Sequence, residues 1–215
     1  MPQYRLASVL NGFLRTLQES RQLAADAQLW SLPVAPGRRP YITAKRRNYI
    51  TEMAFLSAFQ AWEIFVEESF ILYLWGQKPP RGRAPGRYAF PPNRKMAMEW
   101  VIPEGRDYAQ WTIAHHVTER AERFFKGGAP FSPVLKGNQS VLDDVRIIRN
   151  AIAHRSIGVR LKFEKMVRDK LSFLPPNLTV AAFLSMTAPK NTPPVSFLEY
   201  YVGKIDFAAR QIVPS

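Results

Sequence analysis

The sequence predicts an all-α fold, a helical bundle of about five to six helices carrying one long Pro/Gly/Arg-rich loop. Apolar residues recur at helical spacing in several long stretches, no strand alternation is persuasive anywhere, and no internal repeat is visible. At 215 residues the chain reads as a single domain spanning 1–215, with an insertion at about 77–107.

The first helical pattern covers about Tyr4 to Trp30, where Leu6, Leu10, Phe13, Leu14, Leu17 and Leu23 fall near helical spacing. Pro33, Pro36, Gly37 and Pro40 then make a linker, because proline lacks a backbone donor and both residue types oppose a continuing helix. A second helix runs from about Thr43 to Gly76. Its aromatic density, with Phe55, Phe59, Trp62, Phe65 and Phe70 on the apolar face, suits a central bundle helix. From Gln77 to about Asp107 the prolines (Pro79, Pro80, Pro85, Pro91, Pro92) leave no means of forming a packed helix. A loop of that length inside a compact domain is functional or disordered. Its cations Lys78, Arg81, Arg83, Arg87, Arg94 and Lys95 favour a flexible or nucleic-acid-facing loop.

Helical pattern resumes from Tyr108 to Lys126, stops at Gly127-Gly128, and returns from about Gln139 to Arg155. Val159 to Phe173 is a basic helix candidate that Pro175-Pro176 terminates. LTVAAFLSM, near 178–186, fits a short helix or a strand, and a last amphipathic helix covers about Ser196 to Ile212.

Apolar residues make up 47% and charged residues 22%, ordinary globular usage that excludes a wholly disordered or fibrous chain. The absence of cysteine excludes disulfide scaffolds, thiolate metal sites and cysteine nucleophiles. Polar and charged residues interrupt every apolar run near the start, against a signal peptide. Glu63, Glu67 and Glu68 interrupt the longest apolar region, against a membrane span. The expectation is a cytoplasmic protein without a membrane partner.

Lys and Arg number 30 against 17 Asp and Glu, a formal net charge of +13, which points to a polyanionic partner. The excess is clustered. Arg38, Arg39, Lys45, Arg46 and Arg47 occur in 36–50 with no acid, and eight cations face Glu164 and Asp169 in 146–170. Arg46, Arg47, Arg155, Arg160 and Lys162 are the candidates for binding such a partner. The plainer reading of any one cluster is a solvated surface that keeps the chain soluble.

The most informative segment is SVLDDVRIIRNAIAHR, at 140–155. At about 100° per residue, Leu142, Val145, Ile148 and Ile152 form an apolar stripe. Asp143, Arg146, Asn150 and His154 lie on the opposite side, and Asn150 and His154, four apart, act side by side. Arg149 falls at the border of the stripe. A partly buried guanidinium requires an anionic or polar partner, for which Glu63 and Glu67 on the second helix are the candidates.

Arg149-Asn150-Ala-Ile-Ala-His154 resembles the R-x-x-x-x-H motif of the HEPN superfamily of all-helical ribonucleases and nucleotide-binding domains, in which Asn often follows the Arg. Ala61-Trp62-Glu63-x-Phe65-x-Glu67 is similar to the corresponding long helix of stand-alone members. The resemblance implies a metal-independent endoribonuclease, possessing no cofactor, with Arg149, Asn150 and His154 catalytic and Glu63 and Arg146 supporting. It also implies a homodimer whose motifs face each other, and an antitoxin or defence-system partner. Toxins of the class that are silenced by a nucleotidyltransferase carry a Tyr two residues after the His, where this chain has Ser156, so that route of silencing is not implied.

The chemistry of the residues agrees with such a reaction. RNA carries its own nucleophile, so cleavage needs proton transfer and charge stabilisation but no metal. Histidine exchanges protons near neutrality, and arginine holds phosphate oxygens through paired hydrogen bonds. Two rivals stand beside this reading: a catalytically inactive module that binds RNA or a nucleotide, and a helical protein-interaction domain. His154 and Arg155 at a helix C-terminus also simply complement its negative pole. His115-His116 lack metal-ligand spacing and read as helix surface. Trp62, Phe65, Phe70 and Trp75 read as core, while Trp100, Trp111, Tyr88 and Phe90 flank the basic loop as possible stacking positions.

Overall fold

The computed structural model describes residues 5–36, 38–103, 108–189 and 191–215. Tyr4 of the first helical pattern, Gly37 of the linker and 104–107 of the insertion lie outside the described residues. The fold is all-α. Its helices are α1 (Leu6–Trp30), α2 (Ala44–Trp75), α3 (Arg94–Val101), α4 (Ala114–Phe124), α5 (Phe131–Gly137), α6 (Gln139–Ala153), α7 (Ile157–Leu171), α8 (Val180–Ser185) and α9 (Phe197–Ile212), with a short 3-10 turn at Lys126–Gly128. None of the described helices is long and apolar enough to cross a membrane.

The described helices exceed the expected five or six because α3, α5 and α8 are too short for periodicity to reveal. The start of α3 corrects the expectation that the insertion holds no helix. Pro91-Pro92 end just before it, and the Asn93 side chain accepts the Met96 N–H at 2.9 Å, a cap that allows Ala97 and Val101 to pack inward. In α5, Pro133 occupies the first turn, where its missing N–H is not needed. The ambiguous segment near 178–186 is α8, started by Thr179, whose hydroxyl accepts the Ala182 N–H at 3.1 Å. Ser156 caps α7 in the same way, so the helix starts at Ile157, two residues before the expected Val159. That helix ends at Ser172, which takes a left-handed conformation (φ 66°), and not at the Pro pair beyond it.

The chain forms two compact units. The first comprises 1–15, 61–143 and 204–215. Its core centres on Phe70, whose ring lies 4.9 Å from Phe131, 5.0 Å from Phe125 and 5.3 Å from Trp111. Phe13 of α1 stacks on Phe65 of α2 at 5.0 Å. Trp62, Phe65 and Phe70 are buried, as the aromatic face of α2 requires.

The described part of the insertion is tied down in this unit. Tyr88 N–H donates to Phe124 O (2.9 Å), Lys126 N–H to Gly86 O (2.8 Å), and Arg81 N–H to Pro214 O (3.1 Å). Two of its cations face inward. Arg87 donates to the Leu74 carbonyl at 2.7 Å, closing the end of α2 beside Gly76. A side chain at Gly76, which has φ 103°, would meet that guanidinium at 2.9 Å. Arg94 is paired with Glu68. Trp111, a stacking candidate from sequence, is buried instead, whereas Tyr88, Phe90 and Trp100 are exposed.

The second unit comprises 16–60 and 144–203. Phe183 of α8 stacks on Phe197 of α9 at 4.2 Å and meets Phe163 of α7 edge-on at 5.8 Å. Leu17, Phe55, Phe59, Val145, Ile148 and Val167 complete the core. Within it, the buried Asp144 of α6 accepts Lys170 Nζ of α7 at 2.5 Å and the Tyr201 hydroxyl of α9 at 3.3 Å.

Among the described residues, Tyr73 in the first unit and Tyr201 in the second are fully buried, and both predict alkaline sensitivity. Tyr73 donates to the Ile212 carbonyl at 2.7 Å, and burial pushes its phenol well above the ordinary value of 10. Burial and then the charge of Asp144 push Tyr201 upward too. The folded state therefore keeps protons that the unfolded chain releases above pH 10. This contribution to stability is complete below pH 10 and is lost as pH rises beyond it, at up to about 1.4 kcal/mol per pH unit for each tyrosine. Urea midpoints measured between pH 9 and 11 should fall more steeply for the wild type than for Tyr73→Phe or Tyr201→Phe. Parallel curves would refute the assignment.

Candidate functional site

The candidate site is built where α6 ends. Val145 and Ile148 anchor the helix in the second unit's core, so its next turn is fixed in register. His154 follows directly after the helix, and its N–H donates to the Asn150 carbonyl at 2.9 Å, closing the last turn. Only His154, Arg155 and Ser156 separate α6 from α7, and Ser156 is committed to capping α7. That short connection holds His154 between two helix ends. The exposed cations His154 (when protonated) and Arg155 lie at the negative pole of α6, a placement that stabilises a helix by about 0.3–1 kcal/mol.

His154 and Arg155 line a cleft of about 380 Å³ together with Arg160, Glu164, Phe163 and Thr179. Arg160 crosses to Glu164 at 2.7 Å, an exposed pair one turn apart on α7 that is worth a few tenths of a kcal/mol and is readily opened by a phosphate. The floor is apolar, from Val159, Phe163 and Val180.

The other candidates fall as follows. Arg149 and Asn150 are half-buried on the last turns of α6, where Arg149 Nη1 donates to Asn150 Oδ1 at 3.2 Å. That contact supplies the polar partner the border position of Arg149 calls for. Arg146 is half-buried on the same helix. Lys162 is exposed on α7, and Arg46 is exposed in the first turn of α2. Arg47 turns its guanidinium to Asn48 Oδ1 at 3.0 and 3.2 Å. None of these six residues lines the cleft.

Glu63 is half-buried on α2 in the first unit. Glu67, the other acid expected to serve Arg149, has different neighbours: burial raises its carboxyl above the usual range, while a hydrogen bond from Trp111 and the charges of Arg94 and Arg120 oppose that shift.

No family model matches the chain, and no curated protein and no solved structure does. The functional reading therefore rests on the residues themselves.

Sequence reasoning missed Glu52. It is half-buried on α2 and accepts the Ala181 N–H at 3.3 Å. Burial raises its carboxyl above the ordinary range, and the Ala181 N–H and then Arg155 pull it back down. Glu52 is thus a second carboxylate whose charge acts on the cleft, through Arg155. No local signal marks it, because Glu52 and Arg155 meet only once the chain has folded.

Proposed function

We propose that the chain is a metal-independent endoribonuclease of the HEPN kind, with His154 as its proton-transfer residue. One observation carries the reading: an imidazole and two guanidiniums, His154, Arg155 and Arg160, line one open cleft directly after the R-x-x-x-x-H segment. Cleavage needs three things from such a cleft. The phosphodiester must be held, which Arg155 and Arg160 do by charge-assisted hydrogen bonds. The 2′-hydroxyl must lose its proton as its oxygen attacks phosphorus, and the departing 5′-oxygen must gain one. The bond from phosphorus to the 5′-oxygen breaks, leaving a 2′,3′-cyclic phosphate and a 5′-hydroxyl. Arg149 and Asn150, hydrogen-bonded to each other on the preceding turns, position the end of the helix that carries His154.

One imidazole does not serve as base and acid at the same moment, so the proposal includes a homodimer that brings a second His154 to the substrate. A two-fold contact repeats the same patch on both copies. Ile157 and Leu161, 79% and 59% exposed on α7 close to His154, are apolar surface suited to such a contact. A cytoplasmic setting and an antitoxin or defence-system partner belong to the same proposal. A second reading, an RNA-binding module without turnover, is favoured by the exposed His154, whose imidazole has no hydrogen-bond partner among the described residues to orient it.

The test is incubation of the purified protein with total RNA in EDTA, with fragment ends mapped, alongside RNA affinity across a salt series. Cyclic phosphate and 5′-hydroxyl ends are expected. Arg155→Ala and Arg160→Ala should each lower the slope of log affinity against log salt by about 0.7 for single-stranded RNA. Binding with that slope but no cleavage selects the second reading, and an unchanged slope in both variants refutes the cleft as the phosphate site.

A further inference from the structure

A second cleft, in the first unit and separate in chain from His154, has the composition of a nucleotide site. It encloses about 300 Å³, near the lower end of small-ligand cavities and sized for one nucleotide. His116, Arg120 and Arg123 recur at i, i+4 and i+7 along one side of α4, next to the buried stripe Val117, Ala121 and Phe124 that fixes the helix against the core. All three line the cleft, and Trp100 from the end of α3 and Gln110 line it with them.

The Arg120 guanidinium lies 4.5 Å from the Trp111 ring, and burial lowers its pKa, with the charges of Glu119 and Glu67 opposing the shift. Its Nη1 is buried and has no hydrogen-bond partner among the described residues. A buried, unsatisfied donor on a cation is costly and is relieved when an anionic oxygen occupies the adjacent space. Glu119, the carboxylate in the lining, lies 3.3 Å from His115 Nε2, outside the cleft's own set of cations. Arg123 is exposed and lies over Phe124 at 5.6 Å, so its donors remain available to a ligand. Trp100, 40% exposed, offers a ring on which a base can stack.

We propose that this cleft binds a nucleoside phosphate, with the phosphate on Arg120 and Arg123 and the base against Trp100. The chemistry is shared by a free mononucleotide and by one nucleotide of an RNA strand, and the experiment separates them. Calorimetric titrations use adenosine monophosphate, inorganic phosphate and a 2′-O-methyl RNA octamer that cannot be cleaved. Arg123→Glu is the principal variant because its exposed side chain can be changed without disturbing the core, and Trp100→Leu is the second.

Binding of adenosine monophosphate that weakens about tenfold or more in both variants, with phosphate binding weakened by Arg123→Glu alone, supports the free nucleotide. Octamer affinity lost in both variants while adenosine monophosphate fails to bind assigns the site to a strand. If neither ligand responds to either variant, the proposal is overturned. His154→Ala should leave these titrations unchanged, so the nuclease reading and this one fail independently.

Discussion

Replacing His154 by alanine is expected to abolish RNA cleavage while RNA affinity stays within about twofold, a loss of turnover of about 100-fold to 10,000-fold. Histidine is the residue type suited to proton transfer near neutral pH, and arginine holds phosphate without exchanging protons; His154, Arg155 and Arg160 supply both types to the cleft. Under the proposed mechanism, removing His154 takes away proton transfer and leaves both guanidiniums of the cleft in place. The fold should not suffer, because His154 is exposed and its helix-closing contact uses the backbone N–H, which alanine also provides. Gel assays in EDTA and fluorescence anisotropy on the same RNA separate the two quantities. Equal loss of affinity and cleavage would make His154 a binding residue, and unchanged cleavage would move the reaction elsewhere. Mixing His154→Ala with an Arg149→Ala variant also tests the dimer: activity recovered in the mixture requires one composite site fed by two chains.

Lys170→Met is expected to destabilise the second unit by about 3 kcal/mol, the low end of the cost of breaking a buried ion pair. Asp144 has a side-chain exposure of 10% and accepts Lys170 Nζ and the Tyr201 hydroxyl, so losing the lysine removes an ammonium from a carboxylate that water hardly reaches. Lys170 is 28% exposed, so the converse change, Asp144→Asn, should cost less, since the ammonium can turn to solvent and the amide oxygen still accepts from Tyr201. The double variant should recover much of the loss. Urea unfolding at pH 7 reads each value, and a Lys170→Met midpoint equal to wild type would show the pair contributes nothing.

Local patterns carried far along this chain. The apolar period of α2 and α6 marks both helices to within a few residues of their bounds, because that signal is written every three to four residues and needs no knowledge of the partner surface. Caps were legible in principle for α3, α7 and α8, as Asn93, Ser156 and Thr179 each stand three residues before the N–H they receive. Pro91-Pro92 before Asn93 and the short length of α8 mask two of these signals. The motif segment was legible by type and spacing, and its grouping of Arg155 and Arg160 with His154 across one short turn follows from that proximity.

Charge pairing was a different matter. The sequence offered Glu63 or Glu67 to Arg149, yet Glu67 belongs with Trp111, Arg94 and Arg120, and Arg149 donates to its own neighbour Asn150. It left Arg87 and Arg94 as cations of a flexible or nucleic-acid-facing loop or of a plain insertion, and in the structure Arg87 closes α2 while Arg94 pairs with Glu68. Glu52 near Arg155, and Asp144 with Lys170, join residues far apart in the chain. By itself, then, the sequence determined the all-α class, the long helices and the clustering of His154 with its basic neighbours, all of which depend on contacts within a turn or two. Tertiary structure decided the distant pairs, Asp144 with Lys170 and Arg94 with Glu68, whereas a pair one turn apart such as Arg160 with Glu164 is written in local spacing. A distant partner leaves no periodicity in the sequence, because the core sets which segment comes to lie beside the charge.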